Sequence, residues 1–429
     1  MGSSPTPGSN SLVGNMTNYK FSIITPTHIR NSFLNELYQS LQDQIYQNWE
    51  WVLYLNSGAT PQQVPDLIHK DPRVRIIQGI DYPNANVGFM KKQAFAQGTG
   101  EILVEVDHDD LLTPDCLSEL NLAFQDQSVG FAYSNDAMYH MQDKFVPYNK
   151  NYGWDYSYFN WQGRDLVTMH SFPPSSQSLS FIWYAPDHVR AWRRSVYEEV
   201  GGHNPGLSVC DDHELMIKTY LVTEFAHIPK CLYIYRITGE NTWIERNELI
   251  QTKTRELFDQ YAWQLALRDA KKQGLMAVDL GGGIDAKPGC VTIDLCDADI
   301  IADLNQGIPL PDNSVGVINA SHLLEHLRDP LHIMKEIHRV LVDGGWAFIE
   351  VPSTDGRGAW QDPTHVSYWN ENSFWYYTRQ DKARYIRNTE IRFQEFKLET
   401  RWWDNQIAVV NAWLVALKQP RYRPHSVNI

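Results

Sequence analysis

The stretch Ile102-Leu103-Val104-Glu105-Val106-Asp107-His108-Asp109-Asp110-Leu111-Leu112 is an apolar run that ends in a cluster of acids. A short apolar run of this kind reads as a buried strand, and Asp107 falls where that strand stops. Two readings of the cluster stand side by side. It is either a D-x-D metal site or a solvated acidic turn capping the helix expected after Pro114. Position separates them, because three other runs precede this one. Residues 19–24 read as a strand ending in Thr25-Pro26-Thr27, residues 31–45 carry a helical pattern, and 49–55 and 74–77 read as two further strands. Strands alternating with helices predict a parallel open α/β sheet, and such sheets bind ligands beyond the carboxyl ends of their strands. Thr25, Asn56 and Asp107 all sit at such ends.

The cluster has a chemical use there. Transfer from a sugar diphosphate must neutralise a departing diphosphate. A hard divalent cation does this, and it prefers carboxylate oxygens.

The rest of the chain is read outward from this sheet. Residues 137–182 are rich in Tyr, Trp, Asn and Pro and are expected to form a long irregular loop. Residues 243–273 are charged and helical, with Gly274 at the helix end. A second α/β pattern follows. Residues 275–280 form a strand running into Gly281-Gly282-Gly283, with further strands at 291–295, 315–319 and 346–351, a helix over 328–341 and a turn at Asp343-Gly344-Gly345. The expected domains are therefore a disordered lead or tag remnant over 1–17, a first catalytic domain over 18–242, a helical connector over 243–274, and a second domain over 275–429.

Bulk properties agree with a two-domain reading. The chain has 429 residues, of which 43% are hydrophobic and 21% charged, and domains hold roughly 100–200 residues each. The 15 Trp and 22 Tyr lean toward carbohydrate handling, since flat rings stack on sugar faces, although core packing uses them equally well. Net charge is −14, and the basic pairs Lys91-Lys92, Arg193-Arg194 and Lys271-Lys272 are isolated. A nucleic-acid binder needs a basic stripe, so none is expected as a partner. Five cysteines without a C-x-x-C point to a reduced, cytoplasmic protein lacking disulfides or structural zinc. No apolar run reaches the roughly 18 residues of a membrane span; the longest, Ile407 to Leu417, is broken by Asn411.

Several segments carry a resemblance. FSIITPTHIR (21–30), NVGFMKKQAFAQGTGEILVEVDHDD (86–110), RRSVYEEVGGHN (193–204), LSVCDDHELMIK (207–218) and CLYIYRITGENT (231–242) occur in one order. Together they resemble the family 2 inverting glycosyltransferases of the A-type, Rossmann-like fold, over residues 19–242. The resemblance implies a nucleotide-diphosphate sugar donor and a glycan acceptor, whether polysaccharide, oligosaccharide or lipid-linked. It implies that Thr25 and Pro26 lie near the donor base and Lys91 near the diphosphate. Asp107 would meet ribose or metal, Asp109 would ligate Mn²⁺ or Mg²⁺, and Asp212 would be the catalytic base. A helix N-cap is the structural reading of Asp212. Two positions depart from the family: Asn56 stands where an Asp usually reads the base, and Thr238 stands where a metal-binding His is often found.

In the second domain, VDLGGG (278–283), TID (292–294) and the run from Ile301 to Ser353 resemble the class I S-adenosylmethionine-dependent methyltransferases. The resemblance covers about residues 275–418 and implies a second Rossmann-like fold. It places Asp279, Gly281 and Gly283 at the cofactor, Asp294 on its ribose, Asp303 and Leu304 beside the adenine, and Ser321 and His322 in the pocket wall. Only residues 284–290 separate Gly283 from Val291, too few for the usual helix. The polar and aromatic segment 353–370 follows the last strand, where a methyl acceptor would sit. There His365 is the candidate base for a sugar hydroxyl, with Asp355 and Asp362 as rivals. His322, Glu325 and His326 have helical spacing, which suits helix packing and pocket lining and also mimics a metal pair. The function expected is glycosyl transfer coupled to O-methylation of a sugar. Two alternatives are a glycosyltransferase with a degenerate scaffold domain and a carbohydrate-binding protein with both sites dead.

Overall fold

The computed structural model describes residues 16–28, 33–80, 86–141, 154–239 and 241–419. Most of the lead expected over 1–17 and residues 142–153 of the expected loop lie outside the described residues. The chain divides into two compact units. One is made of the chain up to Pro174 with Ser178–Asp259, the other of Ser175–Gln177 with the chain from Gln260 onward.

The first unit is built on β1 (Phe21–Thr27), β2 (Trp49–Leu55), β3 (Val74–Gln78), β4 (Ile102–Glu105), β5 (Leu111–Leu112), β6 (Val129–His140), β7 (Tyr156–Trp161), β8 (Arg164–Met169), β9 (Arg190–Arg193) and β10 (Glu224–Ile237). Among the described residues they form one mixed sheet in the order β3-β2-β1-β4-β9-β6-β10-β5, with the β7–β8 hairpin attached to β6. β2 is buried at every position, as a strand covered on both faces must be, and its Trp-Val-Leu-rich sequence follows from that. The helix Leu34–Gln42 buries Leu34, Leu37, Tyr38 and Leu41. That spacing makes one apolar stripe, each fully buried Leu stabilising by about 1.5–3 kcal/mol.

Strand direction decides where the site lies. β1, β2, β3 and β4 run parallel, β9 is antiparallel to both β4 and β6, and β10 is parallel to β6. The carboxyl ends of β1, β2, β4, β6 and β10 therefore share one edge with the amino end of β9. Asp107, which follows β4, and Arg190, which opens β9, meet on that edge.

The irregular loop expected over 137–182 is corrected. Residues 137–140 extend β6, β7 and β8 form a hairpin, and Ser176–Phe181 is helical. The hairpin turn is Gln162-Gly163, at φ +48° and +82°. Two successive positive φ values make the primed turn that suits strand twist, and Gly takes the second position without strain.

Asn247–Lys272 forms one long helix, and Gly274 beyond it has φ +66°. The second unit holds β11 (Met276–Leu280), β12 (Val291–Asp294), β13 (Ile300–Ile301), β14 (Val315–Ser321), β15 (Leu341–Pro352), β16 (Phe393–Trp402) and β17 (Ala408–Ala416). Their order is β13-β12-β11-β14-β15-β17-β16, with β17 antiparallel to its neighbours and the rest parallel. The chain leaves β11 on one side and returns on the other as β14, so a crevice opens at their carboxyl ends. The turn expected at residues 343–345 is absorbed into β15 as an irregularity, with Gly344 at φ +83°. Between β11 and β12 there is a single 3₁₀ turn, Gly283–Asp285. The helix Pro330–Val340 starts on Asp329, whose carboxylate accepts the Leu331 and His332 N–H groups, and it buries Ile333, Met334, Ile337 and Val340 against the sheet core.

Candidate active sites

In the first unit Tyr233 of β10 fixes the acidic turn. Its hydroxyl donates to Asp110 Oδ2 at 2.8 Å and accepts the Asp107 N–H at 3.1 Å. Asp110 Oδ1 also accepts the Arg236 N–H at 2.7 Å. Asp110 is thus a buried brace, which leaves Asp107 and Asp109 half-buried at the strand end. Burial, opposed by Lys91 and joined by repulsion from Glu105 and Asp109, pushes Asp107 up to about 6. Burial also raises Asp109. Both shifts mean that a positive charge at this place would be welcome.

Two cations already stand near. Lys91, on the helix Val87–Phe95, bonds to Glu105 and lies 4.0 Å from Asp211. Burial would discharge its ammonium, but Glu105, Asp211, Asp212 and Asp107 hold it charged. Arg190 is buried and pairs with Asp212 Oδ2, while Asp212 Oδ1 accepts the His213 N–H at 2.8 Å. Arg190 and Lys91 together overcome burial and hold the Asp212 carboxyl well below the usual carboxylate range. The cap expected at Asp212 is corrected: the helix is Asp211–Val222, and Cys210, at φ +58°, precedes it. Asp212 lies in its first turn, where a negative charge meets the positive end of the helix dipole.

Lys91, Asp107, Asp109 and Asp212 are thus brought to one edge. Thr25 is not offered to it: the residue is fully buried, and its hydroxyl accepts the Trp51 indole N–H at 3.0 Å. Pro26 is half-buried next to it, and Asn56 ends β2 with its N–H on Thr27 O at 2.9 Å. Sequence reading misses Arg190, Tyr233, Asp187 and Asp136. Asp136 is fully buried in β6 with neither carboxylate oxygen hydrogen-bonded among the described residues. Burial first, then Asp187 and Asp110, drive its carboxyl well above the usual range. For Arg190 and Asp136 the available signal was a charged residue inside an apolar strand.

In the second unit Gly281 and Gly283 have φ +72° and +44°. A Cβ on Gly281 would meet Leu323 Cδ1 at 2.9 Å, and one on Gly283 would stand 3.4 Å from Asp294 Oδ2. Asp294 ends β12, half-buried, with Oδ1 accepting the Leu295 N–H at 2.6 Å. Two expected cofactor residues are committed elsewhere. Asp279 is buried, accepting from Asn319 Nδ2 at 2.6 Å and the Lys287 N–H at 2.7 Å, so it braces the short turn. Leu304 is packed in the core, while Asp303 is exposed and caps the turn through the Asn305 N–H at 2.9 Å. A cavity of about 380 Å³ is lined by Asp303, Leu304, Asn305, Arg328, Asp329 and His332.

Ser321 ends β14, half-buried. His322 follows it at φ +52°, off any helix, so the helical reading of 322–326 is corrected to the 3₁₀ turn Leu324–His326. Its Nδ1 lies 3.4 Å from Glu325 Oε1 and its Nε2 lies 3.3 Å from Glu350 Oε1. These two carboxylates, against burial, push the imidazole up to about 9, so it is a cation at neutral pH. His365 Nδ1 faces Ala359 O at 3.0 Å, and its side chain is 6% exposed. Trp360 and Tyr368, both exposed, stack at 4.5 Å in the same segment.

Comparison with known proteins gives a family match within each unit. Residues 22–181 match the family Glycosyl transferase family 2, and residues 282–349 match the family Methyltransferase domain. O-antigen biosynthesis protein RfbC of Myxococcus xanthus is 23% identical over 219 residues, 49% of this chain and 15% of that protein. Hyaluronan synthase of Pasteurella multocida is 22% identical over 232 residues, 52% of this chain and 21% of that protein. The chain thus spans less than a quarter of the length of these relatives. Among solved structures, S. aureus TarS 1-349 aligns with a TM-score of 0.40 at 14% identity, over 63% of this chain and 76% of that one. Mannosyltransferase PcManGT from Pyrobaculum calidifontis, in complex with GDP-Man and Mn²⁺, aligns with a TM-score of 0.38 at 16% identity, over 60% and 74%. No helix among the described residues is long and apolar enough to cross a membrane. Residues 22–181 thus carry a glycosyl transferase family 2 domain, and residues 282–349, further along the same chain, carry a methyltransferase domain.

Proposed function

We propose that the first unit transfers a sugar from a nucleoside-diphosphate sugar to a glycan hydroxyl with inversion, and that the second methylates a sugar hydroxyl with S-adenosylmethionine. The observation that carries the first half is the gathering of Asp107, Asp109, Lys91 and Asp212 at one sheet edge. The donor set fits a divalent cation. Asp107 and Asp109 are hard oxygen ligands whose pKa values are raised by burial and, for Asp107, by neighbouring acids. Mn²⁺ or Mg²⁺ held there supplies charge for the departing diphosphate. Asp212 takes the acceptor proton as the hydroxyl attacks the anomeric carbon from the face opposite the diphosphate. Arg190 keeps that carboxylate ionised and fixes its direction. Lys91 spreads positive potential toward the donor from its seat on Glu105. The acceptor class is drawn from relatives named for O-antigen biosynthesis and hyaluronan synthesis. The reactions would take place in the cytoplasm, where both small donors are made.

In the second unit Gly281, Gly283 and Asp294 would hold the cofactor, Ser321 and His322 would wall it, and His365 Nε2 would meet the acceptor hydroxyl. The stacked Trp360 and Tyr368 offer a sugar platform in the same segment. Methylating a sugar just added would cap or mark a growing glycan. A specific observation favours a second reading, a degenerate scaffold: a single turn joins β11 to β12, and Asp279 is consumed in bracing it. Calorimetric titration with S-adenosylhomocysteine separates the two, since a scaffold gives no heat. For the first unit, a thermal-shift panel of nucleoside diphosphates and their sugars, with and without Mn²⁺, should show one base whose stabilisation needs the metal. A flat panel would count against the donor reading. Labelled methyl groups absent from the glycan product would count against the coupling.

A further inference from the structure

Glu325, His326 and His365 each place one potential ligand atom within 4.8 Å of the others. They come from two separate stretches of the second unit, the 3₁₀ turn after β14 and the polar segment after β15. The backbone holds the stretches together: the Val366 and Ser367 N–H groups donate to Glu325 O at 2.8 and 3.0 Å. Glu325 is 2% exposed. Neither of its carboxylate oxygens makes a hydrogen bond, although Oε1 lies 3.4 Å from His322 Nδ1 as an ion pair. A buried carboxylate normally collects several donors, and the ion pair with His322 leaves Glu325 Oε2 without one.

The two imidazoles are prepared in the same way. His365 Nδ1–H donates to Ala359 O at 3.0 Å. His326 Nδ1 faces Thr364 O at 3.3 Å and Thr364 Oγ1 at 3.1 Å. A ring whose Nδ1–H is given to a carbonyl keeps its lone pair on Nε2, the arrangement that backs a metal-ligating histidine. The outer partners are themselves tied down, since Thr364 Oγ1 also donates to Asp362 Oδ1 at 2.6 Å. The two rings stand edge to face with centroids 5.0 Å apart.

From this geometry we infer that Glu325, His326 and His365 hold a divalent transition cation of the zinc type. Two imidazoles and one carboxylate are the donor set that zinc accepts while keeping a position open. Ligand atoms around such an ion stand about 3.4 Å apart when bonds are about 2.1 Å long, so the group closes slightly on binding. His326 and His365 are half-buried, which leaves the open position on their side. Asp362 Oδ2, 3.9 Å from His365 Nε2, borders it. The absence of C-x-x-C pairs bears only on cysteine sites and does not speak against this one. The inference goes beyond the methyl-transfer reading and alters one assignment in it: His365 becomes a ligand, and the bound cation polarises whatever oxygen takes the open position. It stands whether or not the unit methylates anything.

The test uses the full chain, stripped with chelator and dialysed against Zn²⁺ or Co²⁺, without S-adenosylmethionine or acceptor. In Asp109→Asn, where the first unit's cation site is disabled, one equivalent of Zn²⁺ should remain, and it should be lost when His326→Gln/His365→Gln is added. The Asp109→Asn protein with Co²⁺ should give the intense visible bands of a four-coordinate nitrogen and oxygen site. Zinc retained in full by the triple variant, or absent from Asp109→Asn, overturns the assignment. Because the triple variant can fail to fold, the Asp109→Asn cobalt spectrum stands alone. A six-coordinate spectrum, or a thiolate charge-transfer band from the cysteines, overturns the assignment.

Discussion

The two units solve the same problem of acids at the ends of parallel strands in opposite ways. Beyond β4, Asp107 and Asp109 crowd one another, and burial raises both carboxyls. Beyond β11 and β12 the acids are matched to donors: Asp279 to Asn319 and Lys287, Asp299 to Thr292, Asp303 to Asn305. Hydrogen bonds lower Asp299 and Asp303 below their ordinary range. A carboxylate with neutral donors on both oxygens, as in Asp279, is a brace, and one that lacks them is open to a cation or a substrate. Asp110 shows the rule inside a single motif, since it is one residue from Asp109 and is fully engaged by Tyr233 and Arg236.

Five substitutions, the last read against pH, can break this contrast. The largest effect is expected for Asp212→Asn. Sugar transfer should fall by about 10²–10⁴-fold through loss of the base, and unfolding free energy should drop by up to about 3–5 kcal/mol because buried Arg190 loses its ion-pair partner. Steady-state kinetics and urea melts read the two separately; full activity with lost stability would make Asp212 only the partner of Arg190. Next is Asp109→Asn. Removing one metal carboxylate should lower kcat/KM by roughly 10²–10³-fold, a few kcal/mol of charge stabilisation. Its Tm should hold or rise, because a carboxylate disfavoured by burial is gone. A Tm that falls with activity intact would place Asp109 among the braces.

Third, Asp279→Ala should destabilise the second unit by about 2–4 kcal/mol, since Asn319 and the Lys287 N–H both lose their acceptor. Asp294→Ala should leave the melt nearly unchanged and abolish the heat of S-adenosylhomocysteine binding. Equal melts for the two variants would erase the distinction between brace and ligand. The smallest effect concerns Glu50, the buried acid of β2. Burial works against its charge, but hydrogen bonds from Ser22, Thr99 and Lys20 prevail and bring it down to about 2 from 4.5. A lowered folded-state pKa gives stability that is present above pH 4.5 and is lost as pH falls toward 2. The acid limb of Tm against pH should therefore be steeper in wild type than in Glu50→Gln, and parallel limbs would dismiss the brace.

What could be read from the sequence was local. The runs 49–55, 102–106 and 276–280 announced their strands because a doubly covered parallel strand has to be apolar along its length. Asp107 and Asp109 were visible because a strand end is a fixed place in an open sheet. The missed parts depend on partners far along the chain. Arg190 reaches the site only because β9 runs against β4, and strand direction is not written in composition. The hairpin β7–β8 was hidden among Tyr and Trp, although Gln162-Gly163 was the clue. Thr25 and Asp279 sat at the right strand ends, but their side-chain partners, Trp51 and Asn319, turned them inward. His326 and His365 meet through two backbone hydrogen bonds to Glu325 that no spacing rule could anticipate.

The short passage from β11 to β12 has one more consequence. Parallel neighbours usually need a crossover of about a dozen residues or more, and here residues 281–290 suffice. Closing so small a loop costs little chain entropy. The pairing of Val278 with Val291 through Leu280 with Ile293 is thus a low-cost non-helical contact from which the second unit can start to fold. A feature that removes a helix from the cofactor's side also gives an otherwise slow parallel sheet a local nucleus.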